Sequence, residues 1–305
     1  MEKRAIAATL TVLFLATMAM PGLASAASDE QSISTNANVG SVAPTVTNVY
    51  VQPSAWDPWS YENILVEVQE NNTLATISWV RITVYENDST YGATDANRSH
   101  YTFTYTTTGD NWNENGPGGG HLNAAGSAAG SPSSTWDNYR FNIRLAKTAN
   151  PTVAWTIVAE AKDGGTVDNK TFANKFTVNQ YISQTLGQNS VSWDPINPGA
   201  TDQACNTFPA TTTVIANDTW SLQLKMENAT WISGANSFAV SNGKFDLDSN
   251  VSGATTFTTA YQSLYTSQSY TAETGTSENM YFWLSIPGGQ ASGNYTNKIW
   301  VKVTN

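Results

Sequence analysis

The chain has 305 residues and a formal net charge of −10 at pH 7, and only 12% of its residues are charged. This charged fraction is about half of that in an ordinary soluble domain, so hydroxyl and amide side chains are expected to solvate much of the surface. Phosphate neutralisation needs clustered Lys and Arg, and an acidic chain without such a cluster excludes nucleic acid as a partner.

The first 26 residues have the pattern of a cleaved secretion signal. Lys3 and Arg4 precede an apolar run from Ala5 to Met20, and small residues end the segment at Ala26. A basic start, an apolar middle and a small-x-small end are the marks of such a peptide. The mature protein is therefore predicted to be secreted, and to work outside the cell or at the cell surface.

The segment 27–43 is small and polar, and it is expected to be a disordered leader. No apolar run of about 20 residues follows the signal, so no membrane span is predicted. The closing stretch 298–303 reads as a strand, and no anchor pattern follows it.

From Pro44 onward the apolar residues alternate with polar ones, which is the period of β-strands. Seven short strands are predicted within residues 44–180, the number found in an immunoglobulin-like sandwich. They are Val46–Val51, Ile64–Val68, Val80–Val84, Tyr101–Tyr105, Tyr139–Leu145, Trp155–Ala161 and Phe172–Val178. One Gly- and Asn-rich interval, 109–135, has no period and is expected to be a long exposed loop.

Residues 181–190 are expected to be a linker, followed by a second β-sandwich over residues 191–305. No segment has a helical period over ten residues, so the fold class is predicted to be all-β, with two immunoglobulin-like β-sandwich domains in series. The expected strands of the second region are Val214-Ile215, Trp220–Met226, Phe238–Val240, Lys244–Leu247, Tyr261–Tyr265, Met280–Ile286 and Ile299–Val303.

Three stretches of the first region, Pro44–Pro53, Ile64–Leu74 and Trp79–Val84, resemble the immunoglobulin-like repeats of secreted archaeal, especially methanogen, surface proteins. The stretch Leu284–Ile299 is similar to the closing hairpin of another surface sandwich, found in fibre and adhesin subunits. The resemblance implies a cell-surface or extracellular-matrix protein, and it implies no particular chemistry.

No catalytic set is apparent. The two histidines, His100 and His121, are expected to be solvated surface residues, and neither has a nucleophile in a recognisable turn. Candidate carboxylates for a glycosidase offer no distinctive pair. They are Asp57, Glu62, Glu67, Glu70, Asp194, Glu227 and Asp246.

No metal or cofactor site is predicted. Two histidines and one cysteine make a structural zinc site improbable. The acidic stretch from Asp246 to Asn250 has oxygen ligands at alternate positions, but it lacks the Gly and Glu of a calcium loop, so a polar turn is preferred. Cys205 is the single cysteine, which leaves an intermolecular bridge or, preferably, a buried thiol.

Eight Asn-x-Ser/Thr triplets are candidate glycosylation sites, although a chain this rich in Asn, Ser and Thr produces several by chance. The acceptors are Asn71, Asn87, Asn97, Asn169, Asn217, Asn228, Asn250 and Asn294. The chain also has 11 Trp, whose rings either close the cores or stack on sugars. Core closure is preferred for Trp59 and Trp193, whereas Trp112, on the long loop, is the predicted ligand contact.

These observations favour a non-enzymatic structural or adhesive subunit of a cell envelope, matrix or fibre. Its partners would be copies of itself or other surface proteins, reached by β-edge pairing or by a strand donated from residues 27–43 or 298–303. The alternative is a secreted carbohydrate-binding module that uses exposed Trp residues. A hydrolase is a third hypothesis, because sequence does not reveal carboxylate pairs.

Overall fold

The computed structural model describes residues 42–87, 98–115, 119–151 and 153–305. The secretion signal, the leader up to residue 41 and the triplet acceptor Asn97 lie outside the described residues. The described chain is all-β, as predicted. Its helical content is three single 3-10 turns, Leu74–Thr76, Ala124–Gly126 and Val240–Asn242.

The region up to residue 180 forms two sheets, of three and six strands, with orders β1-β3-β7 and β2-β9-β8-β4-β5-β6. The strands are β1 (Thr45–Gln52), β2 (Ala55–Trp56), β3 (Glu62–Gln69), β4 (Trp79–Glu86), β5 (His100–Thr106), β6 (Asn111–Glu114), β7 (Trp136–Ile143), β8 (Trp155–Lys162) and β9 (Val167–Val178). All seven predicted strands are confirmed, and β2 and β6 are additions.

Alternation explains why these segments form strands around a core. Ile64, Val66 and Val68 of β3 are buried, while Leu65 and Glu67 between them are partly exposed. The inward residues of both sheets form one buried cluster, which places a single apolar core between the sheets. This arrangement is consistent with a β-sandwich.

The region from residue 181 builds a second arrangement of sheets. Its strands are β10 (Ile182–Leu186), β11 (Gln203–Ala204), β12 (Ala210–Ala216), β13 (Trp220–Met226), β14 (Thr230–Ser233), β15 (Asn236–Ala239), β16 (Gly243–Asp246), β17 (Thr255–Thr256), β18 (Gln262–Gln268), β19 (Thr276–Leu284) and β20 (Ile299–Thr304). One sheet has the order β10-β12-β19-β16-β17 with β11 also on β19, a second has the order β18-β13-β20, and β14-β15 is a hairpin. A second, separate cluster of buried side chains belongs to these strands.

Residues 181–190 are not the free linker expected from the sequence. Ile182–Leu186 is strand β10 and pairs antiparallel with β12, from Ile182 opposite Ala216 to Leu186 opposite Thr212. A strand as short as Ile182-Ser-Gln-Thr-Leu186 cannot be distinguished from a polar linker by its sequence pattern. The chain therefore enters the second core cluster almost directly after β9 ends.

The Gly-rich segment 109–135 is also more ordered than expected. It begins with β6, and its later part returns along β7 through isolated bridges from Leu122 to Ile143 and from Ala128 to Arg140. Small side chains allow this close approach, since a Cβ on Gly126 would lie 2.5 Å from Asn142 Oδ1. The described residues from Leu122 to Ala128 therefore lie along the edge of β7.

Candidate functional site

Trp112, the predicted ligand contact, lies within the packed part of the molecule. It is the second residue of β6 and is only partly exposed. Its ring centroid lies 4.7 Å from that of Tyr105 and 5.1 Å from that of Phe141, edge to face. Both neighbours belong to the first core cluster, so the ring packs against this core, and its role as a ligand contact stays a prediction.

A surface groove of about 860 Å³ runs beside Trp112. Its aromatic walls, Tyr105 and Tyr139, are 6% and 1% exposed, so little of their faces is available to a ligand. Burial raises the pKa of both phenols, with Asp110 as a further cause at Tyr105. The rest of the wall includes small residues from Ala124 to Pro132, together with the polar side chains of Thr107 and Asp110.

Both histidines are buried, whereas the sequence led us to expect solvated residues. His121 is 1% exposed, its Nδ1 lies 3.1 Å from the carbonyl oxygen of Arg144, and its ring packs edge-on against Tyr101 at 5.1 Å. His100 is 7% exposed and stacks on Tyr85. A polar side chain can be buried when its polar atoms find partners, and hydropathy alone does not reveal this.

Trp59 does not close a core, contrary to the preferred interpretation of the sequence. It is 36% exposed with a φ of +68°, an unusual conformation for a bulky residue. The guanidinium carbon of Arg144 lies 3.5 Å from its ring centroid, which is a cation–π contact. Trp193, by contrast, packs against the second core cluster and contacts Trp231 edge-on at 5.8 Å, as preferred.

Two of the candidate carboxylates have shifted pKa values. Burial, and secondarily the nearby carboxylate of Asp57, raises the pKa of Glu62, which is the one candidate coupled to another. Hydrogen bonds, chiefly from the Thr47 hydroxyl, lower the pKa of Glu67, so this group is held as a carboxylate at the surface.

The acidic stretch at Asp246 forms turns. Asp248 Oδ1 accepts a hydrogen bond from the Asn250 N–H at 2.7 Å, and Asn250 Oδ1 accepts one from the Ser252 N–H at 3.0 Å. Side-chain oxygens engaged in this way stabilise Asx turns. Across the described residues no three His, Cys, Asp or Glu side chains come together as metal ligands would. No helix there is long and apolar enough to cross a membrane.

Cys205 is buried, as preferred from the sequence. It is 4% exposed, and its thiol donates to the Thr207 carbonyl oxygen at 2.7 Å. Burial raises the pKa of the thiol, which disfavours the reactive thiolate. A bridge to another molecule would require this site to open.

Six candidate glycosylation acceptors lie at exposed positions: Asn71, Asn87, Asn169, Asn228, Asn250 and Asn294. Asn217 is different, because it is 0% exposed. Its Nδ2 donates to the carbonyl oxygens of Ala149 and Asn179, both at 3.0 Å, and its Oδ1 accepts from the Tyr181 N–H at 2.8 Å. An N-linked glycan would replace one of these two amide hydrogens, so the folded structure disfavours the predicted glycosylation at Asn217.

Asn217 is part of a polar junction between the strands of the two core clusters. Arg98, which precedes β5, donates from Nη1 to the carbonyl oxygens of Thr148 at 3.0 Å and Asn217 at 2.8 Å. The Arg98 guanidinium carbon also lies 3.6 Å from the ring centroid of Tyr270, which follows β18. Burial lowers the pKa of Arg98. The junction ties the end of β12 to the loop between β7 and β8.

The free edges of the sheets are the remaining candidate for a functional surface. The edge of β1 is covered, because Asp168 Oδ2 accepts from the Val46 N–H at 2.8 Å and Lys170 Nζ donates to the Thr47 carbonyl at 3.0 Å. The edge of β7 is covered by the segment from Leu122 to Ala128.

The edge strands β10 and β20 have no such cover in the described chain. Strand β20 pairs with β13 over six regular positions, and its other side forms no backbone pairing. Strand β10 approaches β20 from the opposing sheet and pairs only with β12. We call these two free strand edges the open side.

A comparison of the chain with protein-family models gave no match, and a comparison with curated protein sequences gave none either.

Proposed function

We propose that this chain is a non-enzymatic extracellular subunit of a cell envelope, matrix or fibre, which assembles through strand edges. The proposed location depends on the signal pattern of residues 1–26, and the proposed partners are copies of the chain or other surface proteins. The two core clusters are taken as two immunoglobulin-like β-sandwich domains in series, within residues 44–180 and 191–305. The resemblance to archaeal surface proteins agrees with this role.

The observation that carries the proposal is the contrast between covered and open edges. An unpaired strand edge is a template for another strand, and proteins usually cover or bulge such edges to prevent association. Here β1 and β7 are covered, and β18 has two register shifts against β13. The open side of β10 and β20 is neither covered nor bulged in its pairing. Among the edges of β1, β7, β10, β18 and β20, it is therefore the one best suited to β-edge assembly.

The structure changes one part of the assembly hypothesis. Strand β20 is already used within its own sheet, where Ile299, Val301 and Val303 pack against the second core cluster. Donating this strand to another copy would break six register pairs and expose those side chains. We therefore assign β20 the role of acceptor, and the leader 27–43 of another copy the role of donor.

Carbohydrate binding through Trp112 is the weaker candidate. The ring packs on Tyr105 and Phe141, which leaves little of its faces for a ligand. A sugar would have to stack on a ring whose faces already contact the core.

Proline scanning of β20 tests the assembly directly. In an antiparallel edge strand, adjacent N–H groups point alternately to the partner strand and outward. One of the two variants Val301→Pro and Lys302→Pro therefore removes an N–H that points outward, and the other removes an N–H that points to β13. The variant that loses the outward N–H should have a thermal stability closer to that of the wild type, and this difference identifies it. We expect sedimentation velocity to find this variant monomeric under conditions in which the unsubstituted chain of residues 27–305 associates. The control Lys302→Gln keeps the backbone N–H and should associate like the unsubstituted chain.

Association of the folded proline variant to the wild-type extent would contradict the use of β20. If the chain of residues 27–305 stays strictly monomeric at high concentration, this result would contradict the assembly function itself. A protein of residues 44–305 that associates as well as residues 27–305 would exclude the leader as donor.

A further inference from the structure

The outward face of the sheet β18-β13-β20 carries three lysines and two aromatic residues. Lys225 of β13 lies directly opposite Trp300 of β20, and Lys302 lies opposite Gln223. Lys298 and Lys302 alternate with the inward residues of β20, so they share its outward face with Trp300. Tyr261 immediately precedes β18 at the other border of the sheet. We call Lys225, Lys298, Lys302, Tyr261 and Trp300 the lysine face.

Each ammonium group of the lysine face lies over an exposed ring. Lys298 Nζ is 4.1 Å from the Trp300 ring centroid, and Lys225 and Lys302 are 4.8 Å and 5.3 Å from that of Tyr261. Trp300 is 40% exposed and Tyr261 38%. A cation–π contact of this kind orients an ammonium group without neutralising it. The three cations therefore stay available to an anionic ligand.

These three lysines have no carboxylate partner, in contrast to the fourth cation of the same region. The stretch 181–305 contains four Lys and Arg against eight Asp and Glu. Lys244, the fourth, forms an ion pair with Asp202 at 2.9 Å. None of the three lysines of the lysine face forms an ion pair with any described residue. Even Glu227, whose N–H donates to the Lys298 carbonyl oxygen, forms no side-chain ion pair with that lysine.

The spacing of the lysine face suits an extended ligand. Lys298, which immediately precedes β20, and Lys302 are four positions apart, which corresponds to about 13 Å in an extended strand. Lys225 lies on the neighbouring strand, about 5 Å to the side. Three cations distributed over a flat sheet match charges that repeat along a linear polymer. A single small anion would reach only one or two of them.

We propose that the lysine face binds a linear anionic polysaccharide, through its carboxylate or sulfate groups. Gln223 and Ser221, whose positions on β13 share this face, provide hydrogen-bonding groups for the sugar units, and the exposed parts of Trp300 and Tyr261 provide apolar contact. Nucleic acid is disfavoured because Arg is the usual bidentate partner of phosphate, and residues 181–305 contain no Arg. This binding function goes beyond edge assembly, since it uses the outward side chains of β20 and not its free backbone edge.

Affinity electrophoresis of the purified chain tests the proposal. Polygalacturonate and dextran sulfate are the carboxylate and sulfate probes, uncharged dextran is the neutral control, and a duplex DNA oligonucleotide is the nucleic-acid control. The test variant carries Lys225→Gln, Lys298→Gln and Lys302→Gln. A matched control carries Arg140→Gln, Lys162→Gln and Lys175→Gln, which removes the same charge elsewhere.

At low ionic strength we expect retardation by at least one anionic polysaccharide and none by dextran. The test variant should bind roughly tenfold or more weakly, because each exposed charge pair contributes on the order of a factor of two to five. The matched control should bind like the wild type, and 1 M salt should abolish binding. Preference for one probe would distinguish carboxylate from sulfate recognition.

Several results would overturn the proposal. These are no retardation by either anionic polysaccharide, equal losses in the test and control variants, or DNA binding as tight as polysaccharide binding. Self-association that the test variant abolishes, without polysaccharide binding, would reassign the lysine face to a second copy of the chain. Polysaccharide binding by a monomeric chain would support the proposed role of the lysine face. The outcome of this test is therefore independent of the outcome of the edge-assembly experiment.

Discussion

The side chain of Asn217 joins strand β12 to the carbonyl oxygen of Ala149, in the loop that follows β7, through a buried hydrogen bond of 3.0 Å. Ala149 belongs to the first core cluster, whereas Ala216, the residue before Asn217, belongs to the second. A single amide group thus connects residues that pack in different cores. Arg98 stabilises the same junction, because its Nη1 donates hydrogen bonds to the carbonyl oxygens of both Thr148 and Asn217.

Replacing Asn217 by Asp should destabilise the protein, because a carboxylate would face the Ala149 and Asn179 carbonyl oxygens without a proton to donate. We expect a loss of at least about 2 kcal/mol in the free energy of unfolding, measured by urea denaturation at pH 7. Asn228→Asp, at an exposed triplet, is the matched control and should change stability by less than about 0.5 kcal/mol. Equal stability of the two variants would contradict the role of the Asn217 amide.

Glycopeptide mapping of protein from its native source should find Asn217 unmodified. The exposed acceptors, such as Asn71 and Asn250, are sterically free to carry glycans. Asn217 is fully buried, and both of its amide hydrogens are used. A glycan at Asn217 in folded protein would show that this part of the junction opens.

Trp112→Ala should cost about 2 kcal/mol of stability, since the partly buried ring packs on Tyr105 and Phe141. Trp136, which is 50% exposed, provides the comparison, and Trp136→Ala should cost less than about 1 kcal/mol. Thermal unfolding of both variants measures the difference. A Trp112→Ala protein as stable as the wild type would favour the predicted role of Trp112 as a ligand contact.

Tyr265 should make the protein sensitive to alkali. Burial, together with the carboxylate of Glu278, raises the pKa of Tyr265 to about 12, whereas an unfolded tyrosine titrates near 10. The folded state therefore favours the neutral phenol, and this contribution to stability is complete below about pH 10 and is lost as the pH rises towards 12. Tyr265→Phe should lose less stability than the wild type between pH 8 and pH 11.5 in urea denaturation. An equal loss in both proteins would contradict the raised pKa.

The alternation of apolar residues was sufficient to predict the long strands. Side chains such as Ile64 and Leu222 are buried at every second position, and this period is visible in the sequence. Strand β10 was missed because five residues with only two large apolar side chains resemble a tether. The sequence predicts a loop for the segment from Leu122 to Ala128, because its side chains have no period even though its backbone pairs with β7.

The candidate sites were less accessible to sequence reasoning. Trp112 and His121 are close to the core because β6 and the Gly-rich segment fold back, which depends on pairing with strands distant in sequence. The lysine face depends on the register between β13 and β20, whose members Lys225 and Trp300 are far apart in the chain. Burial of Asn217 likewise depends on a tertiary contact with Ala149.

Cryo-electron microscopy of assemblies formed by residues 27–305 tests the central claim most directly. We expect ordered fibres or sheets in which an extended segment of a neighbouring copy runs antiparallel or parallel to β20 at about 4.8 Å, the spacing of paired strands. Assemblies whose contacts avoid β10 and β20, or the persistence of monomers under all conditions, would contradict the proposal that this chain is an edge-assembled structural subunit.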